Sequence, residues 1–503
     1  MKLKRILSAG LLVSIFMTTV LTGCDQSPNN TISSSSTDSV ADSDSQAEPV
    51  KLIYYTIGNS DTDLKKVNDA LNVLLKKKIN VTVEYNKIAW GDYGTKISAL
   101  VNSGADFDIA FASGSDQGDY AGNAQKGAWL DLTDYLQTDG KAMYSMIDPL
   151  YWAGAKIGEK IYGVPTNKEI AVPEWWMYSK ELVTKYKIDI SQYTTLESLE
   201  PLMAKIKKNE PDWLPMELDK NSNNFFALAG YEYVIGKETP LMVQSDDKSL
   251  RVVNIFSTDL AKKTLATLRR YYKAGYINED AALKDSRSLE KGKKVFWKEA
   301  GGGPYSDISW SADRGYNLVA QQVSKATVTT ESTRGGMMVV NARTKHPREC
   351  MKFLNLLNTD PEVRNLINYG IEGSHYVLTS DNQVEKISDA YTGVQYTQGN
   401  WFILDTTVGD PKDKWDKFRE FNKTAVKSEL LGFTVDTSKI YAQMTAITQV
   451  WSKYYSCLMT GSVDPNEQLP KFLAELKAAG IDQVQAELQR QLLNWKASKK
   501  NSE

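Results

Sequence analysis

Gly158-Glu159-Lys160-Ile161-Tyr162-Gly163-Val164-Pro165-Thr166-Asn167 is the stretch on which the interpretation of this chain depends. Two glycines and a proline interrupt any helix here, while Ile161, Tyr162 and Val164 favour extended backbone. The preceding residues have the pattern of one lobe, and a strand predicted at 175–178 opens a second. We therefore expect the stretch to cross between two lobes as a short strand. An ordinary surface turn has the same local composition and is the alternative.

Length and charge narrow the class of protein before any motif is considered. A chain of 503 residues is too long for one hydrophobic core and predicts about two or three domain-sized units. The formal net charge of −2 comes without a basic cluster, so we expect no nucleic-acid partner. Because His346 and His375 are the only histidines in the sequence, a His-built metal site or catalytic triad is not expected, and neither is a cofactor.

The N-terminus has the pattern of an exported, lipid-anchored protein. Basic residues precede an apolar run at 6–21 that is short for a membrane span, which predicts a secretion signal over residues 1–23. The run ends in Leu21-Thr22-Gly23-Cys24, which resembles the bacterial lipobox. That resemblance implies cleavage before Cys24 and lipid attachment to it. An ordinary signal peptide with an incidental cysteine is the alternative.

The segment that follows is polar and predicts a flexible connection. Residues 24–50 have almost no large apolar side chains and should form a disordered tether. No later segment is long and apolar enough to span a bilayer, so lipid on Cys24 would be the only membrane attachment. Cys350 and Cys457 each lie on the apolar face of a predicted helix, which is typical of small buried hydrophobes. Whether they form a disulfide stays open.

The first part of the mature chain predicts an α/β fold. Strands at 52–57, 81–85 and 107–111 alternate with amphipathic helices, the pattern of a doubly wound parallel sheet. Ligands bind such sheets where loops leave the carboxyl ends of the strands, and these loops here carry Asn, Ser, Asp and Gln with Trp90. That chemistry suits a polar, uncharged ligand with apolar faces, for which sugars are the leading class. Packing under the loop is the alternative for Trp90.

Glycine-bounded extended segments recur along the chain. They lie near Gly163, Gly335 and Gly373, and if each is a crossing, two lobes joined by about three strands could close over a ligand by hinge motion. A glycine run at 301–303 lacks the Gly-Lys-Ser/Thr ending and the helix of a phosphate loop, so nucleotide binding is not expected. A final pair of helices is predicted, separated by Gly480.

Several short motifs, taken with the lipobox, resemble one protein family. They are Trp90-Gly91-Asp92-Tyr93, Gly104-Ala105-Asp106-Phe107-Asp108-Ile109, Trp129-Leu130-Asp131-Leu132-Thr133-Asp134-Tyr135, Trp176-Met177-Tyr178-Ser179-Lys180-Glu181-Leu182 and Ala478-Ala479-Gly480-Ile481. In order and spacing they resemble the extracellular solute-binding proteins of bacterial carbohydrate ABC importers, the maltose-binding-protein-like family 1. The last motif is similar to the C-terminal helical extension of a lipoprotein subgroup common in Gram-positive bacteria.

The resemblance implies a type II periplasmic-binding-protein-like fold with two lobes and a helical C-terminal extension. The expected N-terminal lobe comprises 51–163 and about 333–372, and the C-terminal lobe 164–332 and about 376–503. In that family the ligand lies between the lobes, with aromatic rings stacked on sugar faces. Carried to this chain, the resemblance implies the ligand-binding candidates Trp90, Ser115, Asp116, Asn167, Glu169, Tyr305, Glu372, His375 and Trp401.

The function implied is that of a receptor. A monomer anchored by lipid to the outer face of the cell membrane would capture a carbohydrate and deliver it to the permease subunits of an ABC importer, without catalysis. Two alternatives stay open. One is a receptor for a peptide or polyol. The other is an exported glycan-cleaving enzyme with paired carboxylates such as Glu169 and Glu372.

Overall fold

The computed structural model describes residues 48–115, 117–221, 225–285 and 290–500. The predicted signal peptide, the lipidation site Cys24 and nearly all of the predicted tether lie outside the described residues, and so does Asp116. Val50 already belongs to the first strand, so ordered structure begins just inside the predicted tether. None of the helices in the described ranges is long and apolar enough to cross a membrane.

The strands, in chain order, share the two lobes between them. They are β1 Val50–Ile57, β2 Val81–Ile88, β3 Ile109–Ala112, β4 Lys156–Ile157, β5 Lys160–Ile161, β6 Gly163–Pro165, β7 Glu174–Ser179, β8 Leu214–Met216, β9 Tyr231–Tyr233, β10 Leu241–Gln244, β11 Val253–Asn254, β12 Val295–Gly301, β13 Leu318–Gln322, β14 Thr327–Val328, β15 Met337–Val340, β16 Tyr376–Leu378, β17 Val384–Lys386 and β18 Val426–Lys427.

The α-helices cover the sheets and form the C-terminal end. They are α1 Leu64–Ile79, α2 Tyr93–Ser103, α3 Tyr120–Gln125, α4 Thr133–Leu136, α5 Lys141–Met146, α6 Pro149–Ala155, α7 Lys180–Tyr186, α8 Glu200–Asn209, α9 Asp259–Lys273, α10 Ser306–Arg314, α11 Thr330–Thr333, α12 Pro347–Thr359, α13 Pro361–Tyr369, α14 Lys414–Thr424, α15 Tyr441–Met459, α16 Pro465–Ala478 and α17 Ile481–Lys500.

The first lobe is built on a five-stranded sheet with the order β2-β1-β3-β15-β6. β1 pairs in parallel with β2 and β3, and the register places Val50 opposite Val81. β15 runs antiparallel to both β3 and β6. The strand–helix alternation predicted for the start of the mature chain is confirmed. Side chains such as Leu52, Tyr54 and Ile109 are fully buried between this sheet and its helices.

The second lobe has a separate core and carries the C-terminal helices. Its main sheet has the order β13-β7-β12-β8, and a smaller sheet has the order β11-β10-β9. α15, α16 and α17 pack against this core through buried side chains that include Trp451, Phe472 and Leu488. The predicted final pair of helices is therefore confirmed as α16 and α17. Gly480 ends α16 with a φ of 91°, a backbone angle that favours glycine.

Three connections within the described residues join the lobes, as predicted, but two of them lie elsewhere along the chain. The first leads from β6 to β7, and the second from β13 through β14 and α11 to β15. The third follows α14, whose Phe421 packs in the first core, whereas Leu430 packs in the second. β14 and β18, one from each of the later connections, pair in parallel and tie these two crossings together.

The opening stretch itself belongs to the first lobe. Its first half forms the β4–β5 hairpin around Gly158, and Gly163–Pro165 is the edge strand β6. The crossing begins only after Asn167. Likewise Gly335 lies beyond its crossing, between α11 and the sheet strand β15.

The crossing predicted near Gly373 is wrong, and the lobe boundaries change with it. His375 Nε2 lies 3.2 Å from Asp63 Oδ2 in the first lobe. Further on, Gln398 is fully buried between the Tyr54 and Tyr85 hydroxyls, to which it hydrogen-bonds at 2.8 and 3.0 Å. Residues 376–424 therefore pack on the first lobe, and the chain returns to the second lobe only at about 425–430.

Candidate functional site

The carboxyl ends of β1, β2 and β3 meet at one edge of the first sheet, because the three strands are parallel. β6 ends at the same edge, since it lies antiparallel to β15, which is itself antiparallel to β3. The first crossing leaves from this edge, so its loops lie toward the second lobe. In doubly wound folds this is the edge where ligands bind.

An exposed aromatic pair stands at this edge. The rings of Trp90, in the loop after β2, and Tyr396 lie 5.9 Å apart at an interplanar angle of 25°, a stacked arrangement. Trp90 is 38% exposed and Tyr396 48% exposed. Large aromatic side chains seldom remain half in solvent without a partner surface to meet. We call this pair the aromatic platform.

Sequence reasoning found only half of the platform. Trp90 follows a recognisable strand, but Tyr396 lies in residues 391–400, which have no periodicity and were not assigned to the first lobe. The only local signal was Gly393 and Gly399 on either side of the tyrosine, which indicates a constrained loop without indicating its neighbours. Tyr93, the other loop aromatic, is buried and donates its hydroxyl to Phe111 O at 2.7 Å.

Polar groups accompany the platform along the edge. Ser115 is exposed, and its hydroxyl lies 2.8 Å from that of Ser113. Thr166 and Gln117 each have a buried side-chain oxygen, Oγ1 and Oε1, with no hydrogen-bond partner among the described residues. Gly336 brings backbone close to this group, because a Cβ there would lie 2.9 Å from both Thr166 Oγ1 and Tyr396 O. The edge therefore offers hydroxyl and amide groups beside two flat rings.

Asn167 and Glu169 lie at the start of the first crossing, as predicted. Asn167 is buried, and its backbone bridges Gly399 O and Trp401 N at 3.0 and 2.9 Å. The Glu169 carboxylate pairs with Lys168 at 2.8 Å, and its Oε2 is buried without a hydrogen-bond partner among the described residues. Both residues sit where the lobes meet, and Glu169 carries an acceptor that the chain does not satisfy.

Tyr305 joins the two lobes directly. Its hydroxyl lies 2.9 Å from Asp413 Oδ1, just before α14 of the first lobe, and this hydrogen bond raises the pKa of the tyrosine. The residue adopts a left-handed backbone with φ of 61°, which is strained for a residue with a Cβ. Nearby, a Cβ at Gly303 would lie 2.9 Å from the Phe418 ring, so the glycine run permits close approach of the lobes.

Three predicted site residues have other contacts. His375 is 1% exposed; its Nδ1 accepts from Ile371 N at 2.9 Å, which leaves Nε2 to donate to Asp63. Glu372 is exposed beside it and lies on no crossing. Trp401 is 8% exposed and packs against Trp415 and Phe418, so its ring is part of a core. For these three, the expectation that they line a crossing or stack on a ligand is corrected.

Charged and polar groups hold the crossings in place. Arg334, which is buried, donates to Gly154 O, Lys156 O and Thr434 Oγ1 at 2.7 to 2.9 Å, and so ties α6 to the third crossing. Burial lowers the pKa of Arg334 to about 10, which leaves it charged at neutral pH. On the same crossing, Ser428 donates to Glu232 on β9. Burial raises the pKa of Glu232 to about 7, with a smaller contribution from the charge of Glu331.

Comparison with known proteins identifies the class of protein that this geometry belongs to. The family model of the bacterial extracellular solute-binding proteins matches residues 70–377, and a domain of unknown function (DUF3502) matches residues 429–497. The chain belongs to the family of bacterial extracellular solute-binding proteins, which have two lobes around a ligand cleft. The second match falls on the end of the third crossing and on helices α15 to α17.

Particular relatives are similar over nearly the whole chain. A carbohydrate ABC transporter substrate-binding protein of Streptococcus pneumoniae is 30% identical over 468 residues, which cover 91% of this chain and 93% of the relative. The crystal structure of the N-glycan transport solute binding protein (NgtS) of the same species has a TM-score of 0.81 at 29% identity, covering 90% of this chain and all of the other. The NgtS complex with Man5GlcNAc has a TM-score of 0.70 at 28% identity, covering 90% and 99%.

Proposed function

We propose that this protein is the receptor subunit of an ABC importer and captures a carbohydrate between its lobes. Its relatives in Streptococcus pneumoniae carry the titles of a carbohydrate ABC transporter substrate-binding protein and an N-glycan transport protein, one of them in complex with Man5GlcNAc. The ligand proposed here is therefore an oligosaccharide, and specifically one of N-glycan type. The receptor acts as a monomer, breaks no bond and passes its ligand to the permease subunits.

The observation that carries the proposal is the aromatic platform of Trp90 and Tyr396. Sugar rings present patches of C–H groups that suit a flat aromatic surface and a rim of hydroxyls that suit hydrogen-bonding side chains. The platform supplies the flat surface, and the unsatisfied oxygens of Thr166, Gln117 and Glu169 supply acceptors along the same edge. Ser115 and Asn167 complete the proposed first-lobe side, and Tyr305 approaches from the second lobe.

Isothermal titration calorimetry with Man5GlcNAc tests this proposal. Wild-type protein should bind it, while Tyr396→Ala and Trp90→Ala should weaken binding by roughly tenfold or more, the cost of truncating an aromatic anchor. Tyr441→Ala is the matched control, because that tyrosine is 71% exposed on α15 in the second lobe. Binding of a peptide or polyol in place of every oligosaccharide tested would contradict the carbohydrate assignment.

We also propose that the receptor is held on the outer face of the cell membrane by lipid on Cys24, in a Gram-positive host. The lipobox-like ending of the signal segment supports this, and residues 25–47 would serve as the tether. Cys24→Ala, expressed in a Gram-positive host, should move the protein from the membrane fraction to the culture medium and abolish labelling by an alkyne fatty acid. Continued membrane retention without the cysteine would refute the anchor.

A further inference from the structure

A single backbone carbonyl fixes the segment that carries Tyr396. Gln395 O, immediately before the tyrosine, accepts two hydrogen bonds at 2.8 Å, one from Arg364 Nη2 on α13 and one from Trp401 Nε1. Both donors are buried, Arg364 at 0% and Trp401 at 8% exposure. Two donors on one carbonyl restrict the peptide plane from which the tyrosine projects.

The chemistry of Arg364 is unusual for a buried cation. No carboxylate lies within ion-pair distance of it among the described residues; its other side-chain hydrogen bond, to Asn368 Oδ1, measures 3.3 Å, and its Nε has no partner there. Burial lowers the pKa of Arg364 to about 10, so the group remains charged at neutral pH. A buried charge without a counter-ion destabilises a fold unless another requirement is met.

The surrounding backbone is shaped around this contact. Gly399 has a φ of 67°, and a Cβ there would lie 2.9 Å from Arg364 Cδ. Just before the tyrosine, Lys87 Nζ donates to Thr392 O at 2.7 Å. The loop is thus held at both ends, and Tyr396 is left as its half-exposed aromatic residue, facing Trp90.

We propose that Arg364 and the Trp401 indole N–H are positioning residues that hold Tyr396 against Trp90 through the Gln395 carbonyl. The inference rests on the proposed function, since it assigns how the carbohydrate platform is preorganised. Preorganisation of this kind lowers the entropic cost of binding, because the loop does not have to be ordered by the ligand. Trp401 thereby keeps a role in the site through its nitrogen, although its ring is buried.

Two variants remove the two donors separately. Arg364→Met keeps the side-chain length and removes a buried charge that has no counter-ion, so the fold should tolerate it. Trp401→Phe keeps an aromatic ring in the cluster and removes the N–H. Trp415→Phe is the matched control, because its Nε1 donates at 2.7 Å to Leu404 O in the same aromatic cluster, away from the loop.

Fluorine NMR of 5-fluorotryptophan-labelled protein tests the positioning without any ligand. The Trp90 resonance, assigned by its loss in Trp90→Ala, should shift in Tyr396→Ala because a neighbouring ring is removed. It should shift in the same direction in Arg364→Met and Trp401→Phe, and stay in place in Trp415→Phe. A Trp90 resonance that is unchanged in both donor variants would overturn the proposal.

A double-mutant cycle on Man5GlcNAc affinity gives the second readout. Arg364→Met and Trp401→Phe should weaken binding about two- to tenfold in the wild-type background, the range for a well-placed aromatic contact. In the Tyr396→Ala background they should change it by less than about 1.5-fold. Equal losses in both backgrounds would indicate a general structural role and refute the positioning. Absence of binding by every oligosaccharide, with the NMR shifts observed, would refute the proposed function alone.

Discussion

Replacing Glu217 by glutamine should destabilise the second lobe more than any surface ion-pair change. Glu217 has a fully buried carboxylate at the end of β8, and it pairs with Arg314 at 2.7 Å, Lys293 at 2.8 Å and Lys284 at 3.3 Å. Burial alone would raise the pKa of this carboxyl, but the charges of Lys298 and the other cations outweigh it and lower the pKa to about 2. Arg314 ends α10, the helix that follows Tyr305, so the cluster anchors that loop.

The magnitude follows from the pKa. A carboxyl whose pKa falls from 4.5 to about 2 on folding contributes about 3 kcal/mol at neutral pH. Because the folded-state pKa is the lower one, that contribution is present above pH 4.5 and is lost as the pH falls toward 2. Removing the carboxylate also leaves buried cations without their anion, so the loss at pH 7 should be roughly 3 to 5 kcal/mol.

Urea unfolding followed by circular dichroism measures the effect at pH 7 and pH 3. Glu200→Gln is the control, since Glu200 forms a bidentate pair with Arg270 on the surface and should lose less than about 1 kcal/mol. The difference between wild type and Glu217→Gln should shrink to less than about half at pH 3. A loss no larger than that of the control, or a difference equal at both pH values, would refute the reasoning.

Three further outcomes are expected. Glu232→Gln should raise the melting temperature at pH 8 and leave it unchanged at pH 4, because a carboxyl with its pKa raised to about 7 supports the fold only below that pH; an equal shift at both would count against this. Gly432→Ala should lower stability by about 1 to 3 kcal/mol, since its φ is 89° and a Cβ would lie 2.7 Å from Ala153 O, whereas the control Gly158→Ala has open space and should lose less. Cys350 is a free, buried thiol whose pKa is raised by burial, so a thiol reagent should modify it only after unfolding; rapid labelling in native buffer would contradict this.

The sequence predicted the parts of the fold that depend on local pattern. Apolar runs and helical spacing located β1, α1 and β2, and the order of short motifs indicated the two-lobed architecture. The aromatic Trp90 could be placed at the sheet edge because it directly follows a predicted strand. The free thiols Cys350 and Cys457, for which pairing had been left open, lie on helices of different lobes.

The remaining features depend on long-range contacts that no local pattern encodes. Glycines near Gly373 indicated a crossing, but they serve a turn that seats His375 on Asp63, more than three hundred positions earlier in the chain. Tyr396 acquires its place from buried donors on α13 and at Trp401, and neither has a sequence spacing that predicts the contact. Trp401 was expected to stack on a ligand because it is aromatic, and only its packing against Trp415 shows otherwise.

The most direct test of carbohydrate capture at the aromatic platform is calorimetric titration of Man5GlcNAc into wild-type protein and into Trp90→Ala, with melting temperatures measured in parallel. We expect saturable binding by wild type, a loss of roughly tenfold or more in the variant, and equal melting temperatures in the absence of ligand. Equal affinities for the two proteins, or no binding of this or any other oligosaccharide by the folded wild type, would contradict it.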